Sequence, residues 1–343
     1  MTATELTGAT LTGSGSGRSG VSHPLNALDL ATTNLTSPAV LAFALGFLAA
    51  LIRSDLRFPE QVTSLLSTYL LLAIGIKGGA QIRDTALSDL ALPLVATVLI
   101  GIVTPFVAYA GARLWVGLDS VNAASIAAHY GSVSAVTFTA AETFANNSHN
   151  IDEGFMAALV AALEVPGILV ALLIALRKSS NSSIGHSMRE VLTGRSVMLL
   201  VGGILIGVIS SDSTSTMVEP LFKTLFPGVL VLFLLDLGTL AGQRLVTSRG
   251  ISFKLVTFAI ITPLIFGTLG VAVGTAIDMS VGGAMVLGAM TASASYIAAP
   301  AAVRIGLPNA DVGLALTAAL GITFPFNLIV GIPLYANLAS SLG

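Results

Sequence analysis

Two short stretches of small and polar residues carry groups that could hold a small ion. Residues 129–137 read HYGSVSAVT and residues 291–296 read TASASY, which makes Gly131, Ser132, Val133, Ser134, Ser293, Ala294 and Ser295 the candidate ligands. Serine hydroxyls can bind an oxyanion or offer oxygen to sodium without the cost of a buried charge. If the stretches interrupt membrane helices, the freed N–H groups and carbonyls can also bind ions. The alternative is that small residues here only allow close helix packing.

Glu164 is the ionisable residue best placed to bind a cation. It lies within an apolar run, two residues before Pro166, and a proline leaves a carbonyl upstream without its helical donor. The carboxylate and that carbonyl together could ligate sodium, and Thr137 and Thr323 are the hydroxyls best placed to join them. The sequence therefore predicts a sodium site at Thr137, Glu164 and Thr323.

Four further ionisable residues fall within apolar runs. Lys77 lies in a glycine-rich stretch that we expect to be flexible, and Asp236 occupies the equivalent span of the second half, where it could pair with Lys77. Glu142 lies near a predicted helix end and is expected at the membrane interface. His129 is a weaker candidate for function.

The residue types needed for most enzyme chemistry are scarce. The chain has no cysteine, which excludes disulfides, thiolate metal sites and cysteine nucleophiles, and its four histidines show no metal-ligand spacing. Its serines lack a partnering histidine within the apolar runs except His129, five residues before Ser134. We therefore expect that the protein is not an enzyme.

Composition indicates a membrane protein. Of the 343 residues, 54% are hydrophobic and only 9% are charged, and the mean hydropathy is +0.92. A soluble globular chain carries roughly a quarter charged residues, so this chain cannot cover a water-facing surface of its size. The net charge of -2 and the lack of a basic run give no sign of a nucleic-acid partner.

Ten stretches are predicted to cross the membrane, since a crossing needs about 20 mostly apolar residues. They cover residues 38–52, 61–82, 90–116, 121–144, 155–176, 196–209, 221–240, 253–277, 281–303 and 312–338. Residues 1–36 are rich in Ser, Thr and Gly and are predicted to form a disordered, partly amphipathic tail. The first span begins at Ser37 and Pro38, and proline is favoured at a helix start.

The distribution of basic residues predicts the orientation of these spans. With the N-terminus outside, eleven of the fifteen Lys and Arg residues fall in or beside cytoplasmic loops, and only Arg18, Arg83 and Lys223 lie outside. This asymmetry follows the positive-inside rule. It predicts a multi-pass protein of the bacterial plasma (inner) membrane with both termini outside.

The chain matches itself at an offset of about 160 residues. Asp152 and Pro166 recur 159 residues later as Asp311 and Pro325, and residues 131–134 have a counterpart in residues 292–295. The repeats, residues 37–176 and 196–343, are joined by a predicted cytoplasmic loop, residues 177–195. Five spans are an odd number, so the second repeat must be inverted relative to the first. The predicted fold class is thus an all-α polytopic membrane protein of ten helices in two inverted five-helix repeats, with the fourth and ninth helices broken.

At these residues the chain resembles the sodium-dependent bicarbonate transporter family first described in cyanobacteria. The resemblance runs over nearly the whole chain from residue 37 onward. It rests on SPAVLAF at 37–43, GIKGG at 75–79, GSVS at 131–134 followed by EVP at 164–166, and ASASYIAAP with VRIGLP within 292–308. The order and spacing of these motifs, more than any one of them, carry the resemblance.

The resemblance implies sodium-coupled symport of bicarbonate, with the sodium ion as the coupling ion, by alternating access of an elevator type. It implies a homotrimer, in which spans three to five and eight to ten move as a core against a scaffold. Substrate and sodium would meet around residues 131–134 and 293–295. The chain departs from the family in having Tyr296 in place of an acidic residue and Glu164 in place of an aspartate. The short loop at 177–195 argues against the family's PII-like regulator.

Other kinds of transport stay open. A sodium/organic-anion symporter of the bile-acid-transporter type would share the ten-span inverted plan, but the small Ser, Gly and Ala lining favours a small solute. A cation/proton antiporter would require Glu164 to titrate in the working pH range. A channel suits two interrupted inverted repeats less well than alternating access does.

Overall fold

Helices are the only regular secondary structure in the described part of the chain, which comprises residues 32, 34–148, 151–176, 189, 192–247 and 251–343 of a computed structural model. Most of the predicted N-terminal tail and most of the predicted loop at 177–195 lie outside the described residues.

Thirteen helices are numbered here in chain order over the described residues. They are α1 (Pro38–Leu51), α2 (Glu60–Arg83), α3 (Leu87–Gly111), α4 (Ser120–Tyr130), α5 (Ala135–Ser148), α6 (Met156–Leu176), α7 (Arg195–Ile209), α8 (Asp212–Glu219), α9 (Phe226–Thr247), α10 (Phe253–Ala276), α11 (Val281–Thr291), α12 (Ala298–Gly306) and α13 (Val312–Leu342).

Six helical stretches among the described residues are long and apolar enough to cross a membrane. They are Glu60–Arg83, Leu87–Val116, Met156–Ala175, Thr216–Thr247, Phe253–Ala276 and Val312–Leu342. The helices α1, α7 and α11 are apolar but shorter. The described part of the chain is therefore all-helical, with six candidate membrane spans.

The start of α1 shows how local sequence fixes a helix end. Pro38 is the first helical residue, where its missing N–H leaves no bond unmade, and the Ser37 hydroxyl accepts the N–H of Val40 at 3.3 Å. The predicted helix start at these residues is confirmed.

Glycines bring four of the helices into two close pairs. A Cβ on Gly46 of α1 would lie 2.0 Å from the carbonyl oxygen of Leu235 in α9. In the same way, a Cβ on Gly79 of α2 would lie 2.1 Å from the carbonyl oxygen of Ile204 in α7. Such approaches need residues without side chains. We call α1, α2, α7 and α9 the scaffold group.

The remaining long helices form a second group around the interrupted segments. In it α3 packs on α6, and α10 packs on α11, where a Cβ on Gly274 would lie 2.8 Å from the Cα of Ala284. We call α3 to α6 and α10 to α13 the core group. Its last helix, α13, contains the π-helical stretches Thr317–Thr323 and Asn327–Gly331, a departure from α-helical geometry that is frequent at functional sites.

The expected flexible stretch around Lys77 is instead part of an uninterrupted helix. Gly75, Gly78 and Gly79 lie in the second half of α2 and are buried. Gly75 and Gly79 face Gly203 and Gly207 of α7, so their spacing serves close packing of two helices within the chain. The prediction of flexibility here was wrong.

Candidate functional site

Both serine-rich stretches interrupt helices in the structure. The first interruption, residues 131–134, separates α4 from α5, and the second, residues 292–297, separates α11 from α12. The serines in them are almost fully buried, Ser132 and Ser134 in the first and Ser293 and Ser295 in the second. The interruptions therefore lie inside the protein, where irregular backbone can be tolerated at membrane depth.

The two interruptions contact each other directly. The backbone N–H of Ser134 donates to the hydroxyl oxygen of Ser293 at 2.8 Å, and the N–H of Ser295 donates to the carbonyl of His129 at 2.8 Å. The Ser293 hydroxyl in turn donates to the carbonyl of Met290 at 2.7 Å. The structure thus brings together the two segments that the sequence singled out, although they are 159 residues apart.

We call the place where the two interruptions, residues 131–134 and 292–297, contact each other the crossing. Serine hydroxyls also cap the two helices that start from it. The Ser134 hydroxyl accepts the N–H of Thr137 at 3.1 Å in the first turn of α5. The Ser295 hydroxyl accepts the N–H of Ala299 at 3.2 Å at the start of α12. The N-termini of α5 and α12 both lie at the crossing, and helix N-termini favour negative charge.

One hydroxyl at the crossing has no hydrogen bond among the described residues. It belongs to Ser132, which is 2% exposed, whereas the Tyr296 hydroxyl faces that of Ser134. A buried hydroxyl without a partner is uncommon and calls for an explanation, such as a ligand. Both groups can donate to an oxyanion.

Two helices of the core group fix the position of the first interruption. A Cβ on Gly131 would lie 2.7 Å from Pro105 of α3, and a Cβ on Gly167 of α6 would lie 1.7 Å from the Gly131 carbonyl oxygen. Gly167 was not among the predicted residues, although its place directly after Pro166 could have indicated it. The backbone at the crossing is therefore held between α3 and α6.

Glu164 lies one turn before Gly167 on the same helix. Its side chain is buried, the residue being 5% exposed, and it makes no hydrogen bond or ion pair with the other described residues. Pro166 lies inside α6, so the carbonyl four residues upstream lacks a helical donor. Buried charges in proteins are paired or coordinate metal ions.

The two threonines of the predicted sodium site are placed differently. Thr137 lies in the first turn of α5, beside the crossing, and is buried. The Thr323 hydroxyl donates to the carbonyl of Ala259 at 2.6 Å and is 2.6 Å from the hydroxyl of Tyr130. No hydrogen bond joins either threonine to Glu164 in the described part of the chain. Thr323 therefore binds α13 to α10 and α4.

The other ionisable residues pair in a way that the sequence did not predict. Lys77 forms an ion pair with Glu142 of α5, with 3.8 Å between Nζ and Oε2, and its Nζ lies 4.8 Å from the centre of the Phe226 ring. Asp236 accepts a hydrogen bond from the Thr63 hydroxyl at 2.6 Å. The suggested pairing of Lys77 with Asp236 is wrong, because helix packing brings α5, not the middle of α9, against Lys77.

Asn327 is a second site residue that sequence reasoning missed. It is fully buried in a π-helical stretch of α13, and its side-chain amide donates to the carbonyl of Ala292 at 2.8 Å. Its amide oxygen accepts from the Tyr335 hydroxyl at 3.2 Å. The signal in the sequence was an asparagine within an apolar run. Asn327 holds the second interruption in place.

A small cavity lies between the crossing and the scaffold group. It is lined by Ser67, Leu70 and Ile74 of α2, by Val136 of α5, by Phe233 of α9 and by Ile297. The wall on the crossing side contains the first turn of α5, and the opposite wall belongs to the scaffold group.

Comparison with known families agrees with this geometry. The family model of the Na+-dependent bicarbonate transporter superfamily matches residues 38–340. A search of curated proteins gave no match.

Proposed function

The chain belongs to the Na+-dependent bicarbonate transporter superfamily, and we propose that it is a symporter that couples sodium entry to uptake of a small oxyanion, bicarbonate. The observation that carries the proposal is the contact between the two helix interruptions. Two helix N-termini, the unbonded hydroxyl of Ser132 and several backbone groups converge there. Such a site can bind an anion moderately and release it.

We place sodium beside Glu164. The uncompensated carboxylate supplies the negative charge, and the proline-freed carbonyl and the Thr137 hydroxyl supply neutral oxygens. Thr323, which the sequence suggested as a third ligand, would contribute only if its hydroxyl exchanged its present partners. The cation and the anion would then lie on neighbouring helices of the core group, and their attraction would couple their binding.

We further propose the ten-span topology of two inverted repeats in the bacterial plasma membrane, with both termini outside. Two contacts support the repeat. The side chain of Asn122, near the start of α4, accepts the N–H of Asp311 before α13 at 2.7 Å. At the corresponding place in the other half, Glu153 before α6 accepts the N–H of Ser280 before α11 at 2.5 Å. An offset of about 160 residues places the residues of each contact at, or next to, the residues of the other.

An elevator mechanism is our proposal for the conformational cycle. The scaffold group is held together by glycine-mediated helix pairs, and the core group contains the whole crossing. The small cavity lies where the two groups meet. Movement of the core group past the scaffold group would expose the crossing to each side in turn. We also propose a homotrimer surrounded by lipid, and no control by a PII-like protein.

The size of this cavity also separates the leading proposal from the alternative of a sodium/organic-anion symporter. A bulky organic anion needs a wide apolar chamber at the crossing. The cavity there is narrow, and its lining is mostly apolar, with Ser67 and Thr139 as its polar members. The structure gives no specific observation that favours the larger substrate.

The test is uptake of labelled bicarbonate by proteoliposomes that contain the purified protein. An inward sodium gradient should drive accumulation, and an equal potassium gradient should not. Protein-free liposomes control for diffusion of carbon dioxide. Uptake that is the same under both gradients would refute sodium coupling, and sodium-driven uptake of another anion in place of bicarbonate would correct the substrate alone.

A further inference from the structure

Arg195 carries a positive charge that no acidic residue in the described chain neutralises. It is the first residue of α7, and its guanidinium donates to the hydroxyls of Ser64 and Ser67 on α2, the latter at 2.9 Å. It forms no ion pair among the described residues. Two neutral acceptors thus fix the side chain on the scaffold group, and no described residue compensates its charge.

This charge lies in the wall of a cavity between the two helix groups. The scaffold side of the cavity includes Thr193 and Arg195, and the core side includes Ile297, Ala298 and Ala301 at the start of α12. We call it the polar cavity. Ile297 also lines the small cavity beside the crossing, as does Ser67, to which Arg195 is bonded. The polar cavity therefore leads from the crossing toward the end of the scaffold group that we propose faces the cytoplasm.

A second cavity occupies the corresponding place on the other side of the molecule. It is lined by Pro38 and Val40 at the start of α1, by Ala140 and Thr143 of α5, and by Leu328 of α13. The helices α1, α5 and α13 are the counterparts of α7, α12 and α6 under the repeat offset. We call it the apolar cavity, because none of the described residues that line it is charged. The two cavities are thus related in position and differ in charge.

We propose that Arg195 selects for anions at the cytoplasmic mouth of the transport path. The proposal deepens, and rests on, the function proposed above. A unit charge acts on an anion within about a Debye length, 8 to 10 Å at moderate salt. Because Arg195 belongs to the scaffold group, it keeps its place when the core group moves. It raises the anion concentration at the cytoplasmic mouth only. The two mouths of the transport path therefore differ in charge, although the repeats are related in structure.

The fixed orientation of the Arg195 guanidinium matters for the proposal as well as its charge. Two parallel donors to Ser64 and Ser67 hold the guanidinium in one orientation, which a lysine ammonium cannot reproduce. Substitution Arg195→Lys keeps the charge and loses this fixation, and Arg195→Gln loses both. The two variants therefore separate the electrostatic effect from the structural one.

The absence of cysteine in the chain allows a direct measurement of the local potential. In the single-cysteine variant Ala301→Cys, the probe residue lies in the wall of the polar cavity and is exposed. Its modification rates with an anionic and a cationic methanethiosulfonate reagent are compared in liposomes. We expect the anionic-to-cationic rate ratio to fall about three- to five-fold when Arg195→Gln is added at low ionic strength. Arg195→Lys should retain most of the ratio.

The matched control is Thr143→Cys, an exposed position in the wall of the apolar cavity. Arg195→Gln should leave its rate ratio unchanged, and the two cysteines should react from opposite sides of the membrane. High salt should reduce the ratio at position 301 toward that of the Arg195→Gln variant. A rate ratio at position 301 that changes neither with Arg195→Gln nor with salt would overturn the proposal. A cysteine at position 301 that does not react with either reagent would also overturn it.

Transport then gives a second readout. Arg195→Gln should raise the bicarbonate KM several-fold on the cytoplasmic side and leave the external KM unchanged. Equal changes on both sides would contradict a role at one mouth. The cysteine rates do not depend on what is transported, so they test Arg195 even if bicarbonate is not the substrate. Failure of sodium-driven uptake in the wild type would refute the proposed function alone.

Discussion

The contact between α6 and the first helix interruption gives a sharp prediction for Gly167→Ala. The added Cβ would lie 1.7 Å from the carbonyl oxygen of Gly131 and 2.9 Å from the N atom of Ser132. A close carbon–oxygen contact is about 3.3 Å, so α6 must move by about 1.6 Å. Overpacking costs about 1 to 3 kcal/mol, and the upper end applies because the obstacle is backbone. Alanine regains about 1 kcal/mol of helix propensity, which leaves a net loss of about 2 kcal/mol.

The assay combines thermal unfolding of the purified protein with sodium-driven uptake in proteoliposomes. Gly202→Ala is the matched control, because a Cβ on Gly202 of α7 meets nothing within 4 Å. The control should be as stable as the wild type or slightly more stable, with normal uptake. Gly167→Ala should unfold at a lower temperature and, where still folded, transport more slowly, because the interruption has moved. Wild-type stability together with wild-type uptake in Gly167→Ala would refute this account of the crossing.

Three further predictions concern the proposed ion sites and their support. Glu164→Gln should abolish the stabilisation of the protein by sodium in thermal unfolding, which for the wild type is about 2.7 kcal/mol at a sodium concentration 100 times Kd. The control Glu142→Gln should retain this stabilisation, and an equal loss in both variants would show that Glu164 is not the sodium ligand. Ser132→Phe or Ser293→Phe should abolish uptake while size-exclusion profiles stay normal, and normal uptake by both would refute the site. Asn327→Leu leaves the Ala292 carbonyl without its donor, so we expect about 1 to 3 kcal/mol lower stability in thermal unfolding, and an unchanged unfolding temperature would show that this bond is unimportant.

Some features of the site could be predicted because they depend on local composition. A run of Gly, Ser and Ala within an apolar span indicates a possible interruption, and residues 131–134 and 292–297 do interrupt helices. Membership of the family followed from motifs in a fixed order along the chain. The close approach of Ser134 to Ser293 was suggested only through the repeat, because no local pattern reports a contact between distant residues.

Other features depend on packing, which one sequence does not reveal. The pairing of Lys77 with Glu142 depends on which helix lies beside α2, and the sequence offered Asp236 as an equally reasonable partner. The hydroxyl of Thr323 binds the hydroxyl of Tyr130 and the carbonyl of Ala259 on other helices, and one sequence does not reveal these partners. The glycines near Lys77 suggested flexibility, but their close contacts with α7 show that they serve packing. In each case the residue type indicated a role, but the sequence did not indicate which residue it would contact.

The placement of charge relative to the crossing bears on how a transporter can bind its substrate and still release it. A buried arginine at the crossing would bind an oxyanion with two charge-assisted hydrogen bonds, roughly twice as strong as neutral ones, and would slow release. The crossing instead offers hydroxyls and backbone N–H groups, such as those of Ser132 and Ser134. Transport requires binding that is favourable enough for the substrate to enter and weak enough for it to leave.

The same reasoning explains why a positive charge belongs at the mouth. In our proposal, Arg195 attracts the anion from the scaffold group without bonding to it at the crossing. In the same proposal, sodium compensates the negative charge of Glu164, which forms no ion pair among the described residues. Each ion would stabilise the other at the crossing, and an empty or half-filled site would leave a charge uncompensated. Placing a basic residue at the crossing, as in Ser132→Arg, should therefore neutralise Glu164 and abolish sodium stabilisation while anion binding persists. Sodium stabilisation that survives in Ser132→Arg would separate the two sites and refute the electrostatic basis of coupling.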